Sequence, residues 1–226
     1  LDGQTLTQWM IDNPKPELET VRGITEQIAK GLRAFHRMEM LHQDLRPDNI
    51  MIDRTGTVKI IHLGSIRVAG VVEVAPLARD DILGTAQYTA PEYFLGESGS
   101  SRSDLFSLGV ITYQMLTGRL PYGAQVARTR TRSQQRKLRY APVREGNQDL
   151  PQWIDDVLER AVHPDPYKRY EALSEYLHDL RHPKESFANS SFKPLLERDP
   201  LLFWKVLSLA LACTVLALLA RLHGSG

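Results

Sequence analysis

Eight consecutive residues, His42-Gln43-Asp44-Leu45-Arg46-Pro47-Asp48-Asn49, constrain this chain more than any other stretch, because of what lies on either side of them. Upstream, Val21, Ile24, Ile28, Leu32 and Phe35 recur at helical spacing and form the buried stripe of a long helix. That helix opens at Pro16, with Glu17 and Glu19 favourably placed in its first turn. Downstream, residues 49–53 and 57–61 are short β-branched runs around Arg54-Thr55-Gly56, the pattern of a hairpin. The eight residues are therefore a loop held between a helix and a hairpin, which is where functional side chains belong on a rigid scaffold. An isolated Asp44-to-Asn49 spacing is by itself no more than a capped turn.

The rest of the chain is legible in outline. Residues 4–11 read as a short helix closed by Asn13-Pro14, residues 65–89 as a long irregular stretch, and residues 104–116, 152–161 and 170–180 as helices. With 226 residues, 42% hydrophobic and 24% charged, the chain is long enough for one domain with a sizeable core. A formal net charge of +1 gives no overall pull toward nucleic acid, and none is expected as a partner. The lone Cys213 excludes an internal disulfide and any cysteine-rich zinc site. Residues 183–200 form a polar linker, after which residues 201–220 are apolar but for Lys205. A spanning helix needs about 20 such residues, so residues 201–221 are expected to form a transmembrane helix, with a buried core helix as the alternative. Phe203, Trp204 and Lys205 suit one interface, and Lys193 and Arg198 on the near side keep the larger part of the chain cytoplasmic.

Three further motifs follow the loop in order. They are Gly84-Thr85-Ala86-Gln87-Tyr88-Thr89-Ala90-Pro91-Glu92, Asp104-Leu105-Phe106-Ser107-Leu108-Gly109, and Arg169 within His163-Pro164-Asp165-Pro166-Tyr167-Lys168-Arg169-Tyr170. In that order and spacing they resemble the C-terminal lobe of bacterial Ser/Thr protein kinases, and the flanking wording is similar to that of bifunctional kinase/phosphatase proteins. The resemblance implies a mainly α fold: a kinase-like C-lobe with a short β-hairpin over residues 1–182, then the linker and the membrane helix. It implies that Asp44 accepts the proton of a substrate hydroxyl, that Arg46 supplies positive charge near the transferred phosphate, and that Asn49 holds magnesium. Thr85 resembles the residue that bonds the catalytic Asp in enzymes acting on hydroxyl substrates. Glu92 and Arg169 form a buried ion pair by the same resemblance, and Asp104 anchors the loop backbone. ATP and magnesium are the cofactors implied, and a protein is the substrate.

Two departures bear on turnover. His62, in His62-Leu63-Gly64, stands where the family has an Asp that ligates magnesium, and imidazole offers neither anionic charge nor oxygen. No Gly-x-Gly-x-x-Gly precedes the loop, so the N-lobe half of a nucleotide site is expected to be missing. Turnover by this chain alone is therefore not expected, and a membrane-anchored pseudokinase scaffold or adaptor is the alternative to the phosphoryl-transferring parent enzyme. Residues 128–139 form a basic run without interleaved aromatics. It reads as a solvated face, with anionic lipid (at about 1 kcal/mol per basic residue) and substrate docking as further readings.

Overall fold

The computed structural model describes residues 2–62, 64, 67–68 (backbone only), 86–182, 204–205 and 207–208. The chain divides into two units, Leu1–Lys184 and Glu185–Gly226.

Strand β1 (Gly3–Thr5) opens the first unit and pairs antiparallel with β3 (Ile50–Asp53), Gln4 opposite Ile52. The sequence pattern places a helix over residues 4–11, whereas α1 spans Leu6–Asp12. Thr5 is the reason: it is extended, and its hydroxyl accepts from the Gln8 amide at 3.2 Å, capping the helix from outside. Gly3 permits the pairing, since a Cβ there would lie 2.5 Å from the Ile52 carbonyl oxygen.

Helix α2 (Leu18–Arg37) buries Val21, Ile24, Thr25, Ile28, Ala29 and Leu32. This is the expected stripe, although Phe35 is only half-buried. Strand β2 (Met40–Leu41) follows, then the loop, then the hairpin of β3 and β4 (Val58–Ile60). In the hairpin turn Asp53 Oδ1 accepts from the amides of Thr55 and Thr57, each at 2.9 Å, and Gly56 takes φ +82°. β1, β3 and β4 form one three-stranded sheet, and β2 pairs with β5 (Arg67–Val68). The expectation of a mainly α fold with a lone hairpin is thus corrected. The fold is only partly helical, because the chain preceding α1 adds a strand to the hairpin edge.

Helix α3 (Ser101–Thr117) is the axis of the unit, buried without interruption from Ser103 to Tyr113. It begins three residues before the expected start because Ser100 caps it: Ser100 Oγ accepts from the Arg102 amide at 3.2 Å, and Ser103 Oγ accepts from the Ser100 amide at 2.9 Å. A 3-10 turn (Pro91–Leu95) precedes it. Two four-residue helices follow, α4 (Arg132–Gln135) and α5 (Val143–Gly146), then α6 (Gln152–Ala161) and α7 (Leu173–Arg181). α2 and α6 flank α3, and α7 packs on both. In the α2–α3 interface Thr25 and Thr112 share a buried hydroxyl contact of 3.2 Å, so the polar groups of that seam are satisfied.

In the second unit, Trp204, Lys205, Leu207 and Ser208 are helical and exposed. No helix among the described residues is long and apolar enough to cross a membrane. The transmembrane helix expected over residues 201–221 is corrected accordingly; its other residues, and the linker 183–200, lie outside the described residues.

Candidate active site

The loop leaves β2 at Leu41 and closes in a 3-10 turn, Pro47–Asn49, that runs directly into β3. Proline suits the first position of such a turn, where no amide donor is needed. The loop backbone hangs from Asp104 of α3. One Asp104 oxygen accepts from the His42 amide at 3.0 Å and lies 2.8 Å from His36 Nε2; the other accepts from the Gln43 amide at 3.0 Å. Asp104 is 1% exposed, so these contacts compensate the burial of its carboxylate. They also hold Gln43 at φ +65°, a conformation uncommon for a residue with a Cβ. His36 had no signature in the sequence beyond its place near the end of α2, and its partner lies 68 residues away.

Asp44 and Asn49 are brought together as the spacing implies. Asn49 Nδ2 donates to the Asp44 carbonyl at 2.8 Å and to Asp44 Oδ2 at 2.9 Å. Both amide hydrogens of Asn49 are thereby committed, leaving its Oδ1 as an acceptor. Arg46 pairs with Asp48 at 3.1 Å, and Asp48 also accepts from Thr7 Oγ1 of α1 at 2.8 Å. The charge of Arg46 is therefore partly answered inside the loop. Thr85 lies outside the described residues.

His62 stands just beyond the strand that supports Asn49, since the Ile61 amide donates to the Asn49 carbonyl at 2.8 Å. It is exposed, at φ +60°, and makes no hydrogen bond or ion pair among the described residues. The donor set here is the oxygens of Asp44 and Asn49 with an imidazole. Magnesium demands oxygen ligands in near-octahedral geometry, and among the described residues no group of three His, Cys, Asp or Glu side chains could hold a metal ion. The residues as they stand do not fit a magnesium site.

His42 is fully buried beneath the loop, edge-to-face with Phe35 at 6.1 Å, and neither ring nitrogen has a hydrogen-bond partner. Burial holds its pKa below the ordinary value, against the pull of Asp104 and Asp44 in the other direction.

Farther along the chain, Arg169 and Glu92 form the buried pair implied by the motifs. Two parallel bonds of 2.8 and 2.7 Å join them, and the guanidinium also donates to the carbonyls of His163, Arg102 and Pro164. Ser103 Oγ donates to Glu92 Oε1 at 2.6 Å, so the residue whose side chain accepts from the Ser100 cap also completes the ion pair. Tyr88 is tied to α3 as well, through its hydroxyl to Gln114 Oε1 at 2.6 Å and its carbonyl to Ser107 Oγ at 2.8 Å. Loop, 3-10 turn and ion pair are all fastened to one buried helix.

A family model for the protein kinase domain matches residues 1–180. The chain belongs to the protein kinase family. The kinase domain is similar to a probable serine/threonine-protein kinase of Clostridium acetobutylicum, 28% identical over 200 residues, which are 88% of this chain and 30% of that protein. It is also similar to the serine/threonine-protein kinase PrkC of Bacillus subtilis, 25% identical over 181 residues, or 80% of this chain and 28% of that protein. A probable serine/threonine-protein kinase PknB of Bifidobacterium longum is 31% identical over 178 residues, 79% of this chain and 26% of that protein. The chain thus spans between about a quarter and a third of the length of these bacterial relatives. The match to the family model spans residues 1–180 and does not take in the apolar run at residues 201–220.

Proposed function

We propose that this kinase domain belongs to an enzyme that transfers a phosphoryl group from ATP to Ser or Thr hydroxyls of a protein. The observation that carries the reading is the mutual lock of Asp44 and Asn49 in a loop suspended from Asp104. In such a transfer little covalent chemistry falls to the protein, and positioning does most of the work. Asp44 would orient the acceptor hydroxyl and take its proton. Asn49 steers that carboxylate through Nδ2, and Arg46 and Thr85 keep the roles the resemblance implies.

A second reading, a kinase fold that binds partners without turnover, is favoured by one observation, the imidazole of His62. The two are separated by assaying the full-length protein, as found and with His62→Asp, for transfer from labelled ATP to a Ser/Thr peptide, with magnesium and with manganese. His62→Asp is expected to raise the magnesium-supported rate by at least about tenfold, equivalent to about 1.4 kcal/mol of barrier. Asp44→Asn in that background then lowers it by about 10²–10⁴, the usual worth of a positioned base. If both forms are inert with either metal, the non-catalytic reading takes over.

A further inference from the structure

Residues 128–139 carry six cations, Arg128, Arg130, Arg132, Arg136, Lys137 and Arg139, and no carboxylate, in a chain whose formal net charge is only +1. A solvated face ordinarily mixes the two signs. This one is single-signed and rigidly mounted. A 3-10 turn (Val126–Arg128) and α4 shape it, with Thr129 and Gln135 buried beneath. Gln135 Nε2 donates to the Pro91 carbonyl at 2.7 Å, and Arg130 lies over the Phe94 ring at 5.5 Å while donating to the Ala127 and Thr129 carbonyls. Arg132 meets Glu97 at 2.8 Å. That leaves Arg128, Arg136, Lys137 and Arg139 exposed, with no partner among the described residues.

The face packs onto the segment that precedes α3. Pro91 and Phe94 belong to the turn Pro91–Leu95. Val126 shares a buried cluster with Ala90, against which Tyr88 and Phe94 also pack. Tyr88 in turn is fastened to α3, the helix from which the loop hangs, through Gln114 and Ser107.

We propose that this face docks an acidic, Asp- and Glu-rich segment of the protein that receives the phosphoryl group. Calling that partner a substrate rests on the phosphoryl-transfer reading; the binding itself does not. Five of the six cations are arginines, whose planar forks match carboxylates two bonds at a time. The run contains no aromatic residue on which bases could stack. Its single large apolar side chain, Leu138, packs inward on the buried cluster, leaving nothing apolar to enter a bilayer.

The test reads binding, in the absence of ATP, by fluorescence anisotropy of labelled peptides against the full chain. An acidic peptide is compared with a neutral peptide of equal length and with the triple variant Arg128→Glu/Arg136→Glu/Lys137→Glu. Preference for the acidic peptide, a loss of about tenfold or more in the triple variant, and weakening as salt rises are expected. The pair Lys30→Glu/Arg33→Glu on α2, exposed cations away from this run, should leave binding unchanged. Equal binding of acidic and neutral peptides, or equal losses in both variants, would overturn the proposal. So would preferential capture of phosphatidylserine vesicles or of a single-stranded oligonucleotide, which would assign the face to a membrane or to nucleic acid. If the triple variant fails to fold, the salt dependence and peptide preference of the unsubstituted chain decide alone. Because no nucleotide is present, absence of phosphoryl transfer and absence of docking are separate results.

Discussion

Arg169 ties several distant segments of the chain together. It is wholly buried, bonded twice to Glu92 and to three backbone carbonyls, and it lies over Phe106 at 4.8 Å. Removing one member of such a pair strands the other, so Arg169→Ala is expected to cost about 3–5 kcal/mol in urea unfolding. The double variant Glu92→Gln/Arg169→Met should recover part of that loss, because no buried charge is left over. His42 makes a different kind of contribution. Its burial lowers the folded pKa beneath the unfolded value of 6.5, so below that value the unfolded chain binds a proton that the folded state refuses. The stability is full above the unfolded pKa and is lost as pH falls through the folded one, and His163, lowered by burial and Lys168, acts in the same direction. Urea midpoints compared at about pH 7.5 and about pH 5.5 should fall with acidification, and fall less in His42→Leu. Asp44, Asn49, Glu92, Asp104 and Arg169 were legible in the sequence because each sits in a wordlike motif. Their mates His36 and Ser103 were not, since a partner 68 residues distant leaves no local pattern, and the left-handed backbone of Gln43 and His62 is invisible in the identity of either residue.

Helices with a long period were readable and short ones were not. α2 and α6 stand where their apolar spacing put them, while α4 and α5, four residues each, are too short to show any period. β1 was mistaken for helix because three residues carry too little pattern to reveal a strand whose partner is 48 residues away in the register Gln4 to Ile52. α3 shows no solvent face from Ser103 to Tyr113, and its buried polar side chains Ser103, Asp104, Ser107 and Thr112 are all hydrogen-bonded. Its approach to α6 depends on Gly109, where a Cβ would lie 2.9 Å from Val162 Cγ1 and 3.1 Å from Ala161 Cβ. Gly109→Ala should therefore destabilise by about 1–3 kcal/mol through overpacking, despite a helix-propensity gain of about 1 kcal/mol. Val162→Ala in the same chain should return part of the loss, measured as a shift in urea midpoint.

The two units are separate bodies of contacts, and the first holds its own buried core. A chain ended at Lys184 is expected to unfold in one cooperative urea transition, with the fluorescence of Trp9 and Trp153 tracking far-UV circular dichroism. Two separated transitions would show that residues 1–184 do not fold as a unit. The order of the motifs made the kinase fold readable from sequence, since four landmarks in register leave few alternative arrangements. The apolar run at residues 201–220 suggests a spanning helix by composition, which is necessary without being sufficient, and no helix among the described residues is long and apolar enough to cross a membrane. The way the loop is mounted has a consequence for how such a chain changes over time. Asp104 grips the loop by its main-chain amides, so its outline does not depend on which side chain occupies position 43, and His62 lies outside the grip. Chemistry and architecture are thus written in different atoms. On the phosphoryl-transfer reading proposed above, a substitution at position 62 would alter the chemistry open to the loop and leave in place the main-chain bonds that shape it.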